Sequence, residues 1–132
     1  MELDLQKLHI LIVEDNPRTL KLIQAVLKDM GVGQVFTAKD GREAQTFLEA
    51  GGELINLIIC DWNMPRMSGL DLLQQVRMTM PEMPFLMVTA RGTIDSVMAA
   101  KKSGVSGYVV KPFSPAELEQ KVVALARRID DG

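Results

Sequence analysis

The chain has 132 residues, of which 47% are hydrophobic, 5% aromatic and 24% charged, and its formal net charge is −2. That length gives one ordinary domain with little room for a second, and the apolar content supports a real core. The balanced charge, with only the short Lys101-Lys102 and Arg127-Arg128 pairs as basic clusters, argues against a nucleic-acid binder. The single Cys60 has no partner for an internal disulfide and reads as a small core residue in a reducing compartment. The N-terminus, Met-Glu-Leu-Asp-Leu-Gln-Lys, is acidic where a secretory leader is basic, and no apolar run reaches membrane-spanning length. The expectation is a soluble, cytoplasmic protein.

Residues 9–13 form an apolar run that ends at Glu14-Asp15-Asn16-Pro17, where Asn caps a helix and Pro fills its first turn. Leu20, Ile23, Leu27 and Met30 then recur at helical spacing up to Gly31, a C-terminal cap. A weaker strand of mixed polarity, residues 34–37, suits a sheet edge. Asp40-Gly41 opens a second helix with Ala44, Phe47 and Leu48 on one face, ended by Gly51-Gly52. The third strand, residues 57–60, is wholly apolar and stops at Asp61, and Pro65 prevents it from continuing.

After the loop at 65–69, Leu72, Leu73 and Val76 mark a third helix, and Pro81 and Pro84 separate it from a fourth strand at 85–88. That strand leads into Thr89-Ala90-Arg91-Gly92. A fourth helix is expected to hold Ile94, Val97 and Met98 on its inner face and to stop near Gly104. The fifth strand, residues 106–110, ends at Lys111-Pro112. Ser114-Pro115-Ala116-Glu117 is a capping box, and Leu118, Val122, Leu125 and Ile129 stripe the last helix.

Five apolar strands, each followed by a helix, predict an α/β fold with a doubly wound parallel sheet covered on both faces. Right-handed crossovers then place every strand-to-helix loop at one edge, where open parallel sheets bind their ligands. Glu14, Asp15, Asp61, Thr89 and Lys111 all leave strands at that edge. Singly each has a plain explanation: acids favour a helix N-terminus, Thr favours strands, an Asp forms turns, and Lys is a surface charge. Together they do not, because three crowded carboxylates repel unless a cation neutralises them. An oxygen-only set open to water and phosphate suits Mg²⁺. The Asp61-x-Asn63 spacing faintly resembles a calcium loop, but Pro65 and Arg66 stand where its next ligand and Gly belong. With a metal present, Asp61 is a candidate carboxylate nucleophile toward phosphorus, with Lys111 and the Thr89 hydroxyl neutralising and bonding the phosphoryl oxygens. No Walker-type loop, Gly-x-Gly-x-x-Gly, Ser elbow or His-Glu-x-x-His is present.

From about residue 8 to 128 the chain resembles the receiver domain of bacterial two-component response regulators. The segments Asp61-Trp62-Asn63-Met64-Pro65, Met87-Val88-Thr89-Ala90 and Ser106-Gly107-Tyr108-Val109-Val110-Lys111-Pro112-Phe113 look most like its stand-alone chemotaxis members. The resemblance implies a flavodoxin-like sheet of order 2-1-3-4-5, a single receiver domain over 1–132 with no output domain, and a monomer. It implies that Asp61 accepts a phosphoryl group from a sensor kinase phosphohistidine. Glu14, Asp15, Asp61 and the Asn63 backbone carbonyl would hold Mg²⁺, and Thr89 and Lys111 would meet the phosphoryl oxygens. It further implies a cis Lys111-Pro112 bond and a switch in which Thr89 moves, Tyr108 turns inward, and the face of the fourth helix, fifth strand and fifth helix changes. The implied partners are the kinase, a downstream target such as the flagellar motor switch, and a phosphatase; neither nucleic acid nor membrane is among them. Such proteins catalyse only their own phosphorylation and dephosphorylation.

Two positions depart from the chemotaxis pattern. Glu14 replaces an Asp in the acidic pair. Arg91 replaces an acidic residue, and with Asn63 it flanks the acceptor, so both are candidates for setting the dephosphorylation rate. The same features also fit a receiver in another phosphorelay or one belonging to a larger regulator, whose Asp-Asp-Gly ending would start a linker. An aspartate-nucleophile phosphatase fits less well, because its nucleophile follows the first strand and Asn63 has no acid proton for a leaving group. A flavodoxin-like binding module would need a phosphate loop where Glu14-Asp15 repel phosphate.

Overall fold

Five short strands pair in parallel in the order β2-β1-β3-β4-β5. They are β1 (His9–Val13), β2 (Gln34–Ala38), β3 (Leu57–Cys60), β4 (Phe85–Thr89) and β5 (Gly107–Val110). The computed structural model describes residues 4–131; Met1, Glu2 and Leu3 of the acidic N-terminus and Gly132 of the Asp-Asp-Gly ending lie outside the described residues. The three inner strands are apolar because helices cover both of their faces. Alternate side chains divide between two cores: Ile10, Ile12, Leu57, Ile59, Leu86 and Val88 on one face, Leu11, Val13, Ile58, Cys60, Phe85 and Met87 on the other. β2, the polar strand, is an edge as its composition predicts.

Helices α1 (Pro17–Met30) and α5 (Pro115–Asp131) cover the first core. Helices α2 (Gly41–Gly51), α3 (Gly69–Thr79) and α4 (Ile94–Lys102) cover the second. Each begins at a capping side chain. Asn16 accepts from the Arg18 and Thr19 amides, and Asp40, Ser68 and Thr93 each accept from the amide three residues on. At α5 the capping box closes in both directions: the Ser114 hydroxyl accepts from the Glu117 amide at 3.1 Å, and Glu117 accepts from the Ser114 amide at 3.4 Å. Gly31 ends α1 at φ 85°, in the left-handed region where a glycine costs least.

α4 departs from the expectation. Ile94 and Met98 are 81% and 58% exposed, Val97 is half-buried, and the helix seats itself through Ala100, which is fully buried. The physical reason is size: small alanines let a short helix lie close to the sheet, which turns the Ile94-Met98 face outward. Apolar spacing alone locates the stripe but not the side that faces the core.

Candidate functional site

The chain leaves β1 for β2 on one side and later returns to β3 on the other, so strand order reverses between the carboxyl ends of β1 and β3. A crevice opens at such a switch point. Glu14 and Asp15 follow β1 and Asp61 follows β3, which brings all three acids to it. Sheet hydrogen bonds still hold the backbones of two of them: the Glu14 amide donates to the Ala38 carbonyl and the Asp61 amide to the Val13 carbonyl, both at 3.0 Å. One oxygen from each acid lies within 4.8 Å of the others, with Glu14 and Asp61 buried and Asp15 exposed.

Lys111, just beyond β5, reaches this cluster. Its amide donates to the Thr89 carbonyl at 2.8 Å, and its Nζ donates to Glu14 Oε1 at 3.0 Å and to Asp61 Oδ2 at 3.2 Å. The Lys111-Pro112 peptide is cis. The remaining acceptor oxygens are partly engaged: Glu14 Oε2 takes the Asn16 amide at 3.1 Å, and Asp61 Oδ1 takes the Trp62 amide at 2.7 Å.

One ammonium thus serves two buried carboxylates. Burial pushes the Glu14 carboxyl above its ordinary value and the Asp61 charge adds to this, while the Lys111 bond opposes it without prevailing. Burial pulls the Lys111 ammonium down, but Glu14 and Asp61 together raise it above its ordinary value, so it stays charged. The two rise for different reasons, Glu14 chiefly through burial and Lys111 through its two carboxylate partners, and three carboxylates facing one ammonium leave an excess of negative charge. A further cation would relieve that excess.

The donor set fits Mg²⁺. The ion prefers oxygen ligands at about 2.0–2.1 Å, so oxygens on opposite sides of it stand roughly 4 Å apart. The three acid oxygens, within 4.8 Å of one another, lie near enough to face one such ion together. No soft ligand is engaged, since Cys60 is fully buried with its Sγ on the Asp61 carbonyl at 3.0 Å.

Arg91 bridges the mouth. Its Nε donates to Asn63 Oδ1 at 3.0 Å, and its guanidinium carbon lies 4.8 Å from the centre of the Trp62 ring, a cation–π contact. Its amide donates to Thr89 Oγ1 at 3.3 Å, and its carbonyl accepts from the Tyr108 hydroxyl at 2.6 Å. Burial pushes the Tyr108 phenol above its ordinary value. Glu14, Asp15, Asp61 and Lys111 therefore form one cluster, whereas Thr89 is fully buried, its carbonyl accepting from the Lys111 amide and its hydroxyl from the Arg91 amide.

Two contacts escape sequence reasoning. Trp62 is the ring under Arg91, and Arg66 donates through Nε to Asp40 Oδ2 at 3.0 Å. Asp40 reads from sequence only as a helix start, and nothing local marks a partner 26 residues away.

The chain matches the family model described as the response regulator receiver domain over residues 10–123. It is 38% identical over 125 residues to the chemotaxis protein CheY of Pseudomonas aeruginosa, covering 93% of this chain and 99% of that protein. Among solved structures it is similar to the chemotaxis response regulator CheY4 of Vibrio cholerae, at 32% identity and a TM-score of 0.81, over 89% of this chain and 98% of the other. It is also similar to the Mn²⁺-bound form of response regulator Rcp1, at 28% identity and a TM-score of 0.74, over 88% of this chain and 89% of the other.

Proposed function

The chain belongs to the response regulator receiver domain family, and on that premise we propose that it is a phosphorylation-driven signalling switch of the chemotaxis type. A sensor kinase phosphohistidine is the donor. An Asp61 carboxylate oxygen attacks phosphorus, a new O–P bond forms as the P–N bond breaks, and the imidazole leaves with that electron pair and takes up a proton. The product is an aspartyl phosphate on a strand end held by the sheet.

Glu14, Asp15, Asp61 and the Asn63 backbone carbonyl would hold Mg²⁺. Bound there, the ion supplies positive charge against the phosphoryl oxygens. The Mn²⁺ of the similar Rcp1 structure supports a divalent ion in a domain of this kind. Lys111 exchanges its Asp61 contact for a phosphoryl oxygen, and the Thr89 hydroxyl supplies a second donor once it turns toward the site. The observation that carries this reading is the three-acid cluster with a single lysine shared across it.

The output is a two-state equilibrium. Shifting it from 1:99 to 99:1 needs about 5.5 kcal/mol of differential contact. Two or three charge-assisted hydrogen bonds from Thr89 and Lys111, at about 1.5–3 kcal/mol each, supply that. Thr89 is coupled to Tyr108 through the two ends of Arg91. Beyond Tyr108 lies a surface with exposed Ile94, Met98 and Val110 beside Lys101 and Lys102, a face for a downstream protein such as the flagellar motor switch. Asn63 and Arg91 cover the acceptor and set how fast water or a phosphatase reaches it. Among the described residues no helix is long and apolar enough to cross a membrane.

The test is incubation with Mg²⁺ and acetyl phosphate followed by intact-mass measurement. Wild type should gain one phosphoryl group and Asp61→Asn none; equal gain by the two proteins, or no gain by wild type, ends this reading.

A further inference from the structure

The loop between β3 and α3 carries Asn63 at its start. Its base is closed by the Gly69 amide, which donates to the Trp62 carbonyl at 2.8 Å. Gly69 lies so near the strand end that a Cβ there would stand 2.0 Å from the Asp61 carbonyl oxygen. The tip needs a different restraint, because Asn63, Pro65 and Arg66 are all exposed.

Arg66 provides one. It is the one described non-glycine residue with positive φ, at 70°, a conformation that a residue with a Cβ keeps only where its surroundings hold it. A tight turn centred on it brings the Met67 amide to the Pro65 carbonyl at 2.8 Å. Its Nε donates to Asp40 Oδ2 at 3.0 Å; the Arg66 side chain is 71% exposed and that of Asp40 only 4%. The other Asp40 oxygen caps α2 by accepting the Glu43 amide at 2.9 Å. Met67 packs against Gly41, where a Cβ would meet it at 2.8 Å. Asp40 is therefore a two-ended tie with one oxygen on α2 and the other on the loop.

Resting on the reading of the acid cluster as a divalent-cation site, we propose that Asp40 and Arg66 are positioning residues for that cation. The ion pair fastens the tip of the β3–α3 loop to the N-terminus of α2, so that the Asn63 backbone carbonyl is already in place when the ion arrives. Without the pair the left-handed turn relaxes, and binding must also order the loop. The cluster carboxylates are untouched by such a change. Groups that orient metal ligands without touching the metal commonly govern affinity.

The test is calorimetric titration of MgCl₂ into the metal-free full chain, with emission of Trp62, the single Trp, as a second readout. Asp40→Asn keeps a capping oxygen and removes the charge. Arg66→Gly removes the side chain and relieves the left-handed strain, so its unfolding midpoint in EDTA should not fall. Arg66→Lys keeps a cation within reach of Asp40. The first two should raise the Mg²⁺ dissociation constant about tenfold, and Arg66→Lys should lie between them and wild type. Weaker Mg²⁺ binding with an undiminished midpoint in Arg66→Gly separates positioning from stability. Wild-type binding matched within about twofold by Arg66→Gly overturns the positioning role alone. A wild type with no Mg²⁺ response overturns the cation site and this proposal with it.

Discussion

Two half-buried cations stand at opposite edges of the sheet and differ in what holds them. At the amino edge, Arg77 from the last turn of α3 donates to the Gly104 carbonyl at 2.8 Å, the Met80 carbonyl at 3.4 Å and the Ser106 hydroxyl at 3.4 Å. Burial pulls its guanidinium below the ordinary value, and these acceptors have no second protonation state with which to respond. At the carboxyl edge, Lys111 is held by Glu14 and Asp61, the acids that on the proposed function would also take a metal and, at Asp61, a phosphoryl group. A cation on carbonyls is a permanent tie between helix ends. A cation on carboxylates can change partners, and that freedom is what a switch needs.

Replacing each cation by methionine tests this contrast most directly. Lys111→Met should slow phosphoryl uptake from acetyl phosphate about 10²–10³-fold, as loss of one charge-stabilising donor does, while Arg77→Met stays within about twofold of wild type. Intact-mass time courses decide it. A slow Arg77→Met would mean that the amino edge also serves the chemistry.

Stability should divide the same pair differently. Arg77→Met leaves fixed acceptors unsatisfied, and denaturant unfolding should show a loss of about 1–3 kcal/mol whether EDTA or Mg²⁺ is present. Lys111→Met leaves two acids uncompensated in EDTA, and added Mg²⁺ should recover most of that loss by binding the folded state alone. Absence of recovery would show that no cation takes the lysine's place.

A smaller effect is expected at the mouth. Arg91→Ala removes the bond to Asn63 and the contact over Trp62, so loss of the phosphoryl group should quicken about fivefold, in line with roughly 1 kcal/mol of covering interaction. Following the phosphorylated mass after donor removal measures this, and an unchanged decay would free Arg91 from the role.

The smallest effects concern pH. The Asp40 carboxyl sits below its ordinary value of 3.8, chiefly because the Glu43 amide donates to it and with help from Arg66. Its folded pKa is depressed, so its contribution is present above about pH 4 and lost as pH falls through the folded value. Glu14 has the opposite sign: its folded pKa is raised above 4.5, so in EDTA stability falls as pH rises through the folded value. Denaturant unfolding across this acid range should lose the first slope in Asp40→Asn and the second in Glu14→Gln. Mg²⁺ should suppress the second only.

Most of the architecture is legible locally. Apolar runs that stop at a charge mark strands β1, β3 and β5, and Asn16, Asp40 and Ser114 mark helix starts because capping needs only a neighbouring amide. Periodicity failed at α4, where Ile94 and Met98 turn outward, because it cannot tell which side of a short helix the sheet will accept. The ties Arg77 to Gly104, Arg66 to Asp40 and Arg91 to Asn63 join residues 27, 26 and 28 apart and leave no local pattern.

The sequence by itself determined where β1, β3 and β5 end, since an apolar run and a charge are written within a few neighbouring positions, whereas β2 and β4 each run one residue further than expected, to Ala38 and Thr89. It also placed Glu14, Asp15, Asp61 and Lys111 at one edge, because parallel strands joined by helices all point the same way. Periodicity did not place β3 beside β1, which came from the family resemblance and which the structure bears out, and only the tertiary structure decided that Lys111, 97 residues from Glu14, shares its ammonium between Glu14 and Asp61. Strand neighbours and side-chain partners depend on the direction and packing of each crossover, which involve the whole core at once.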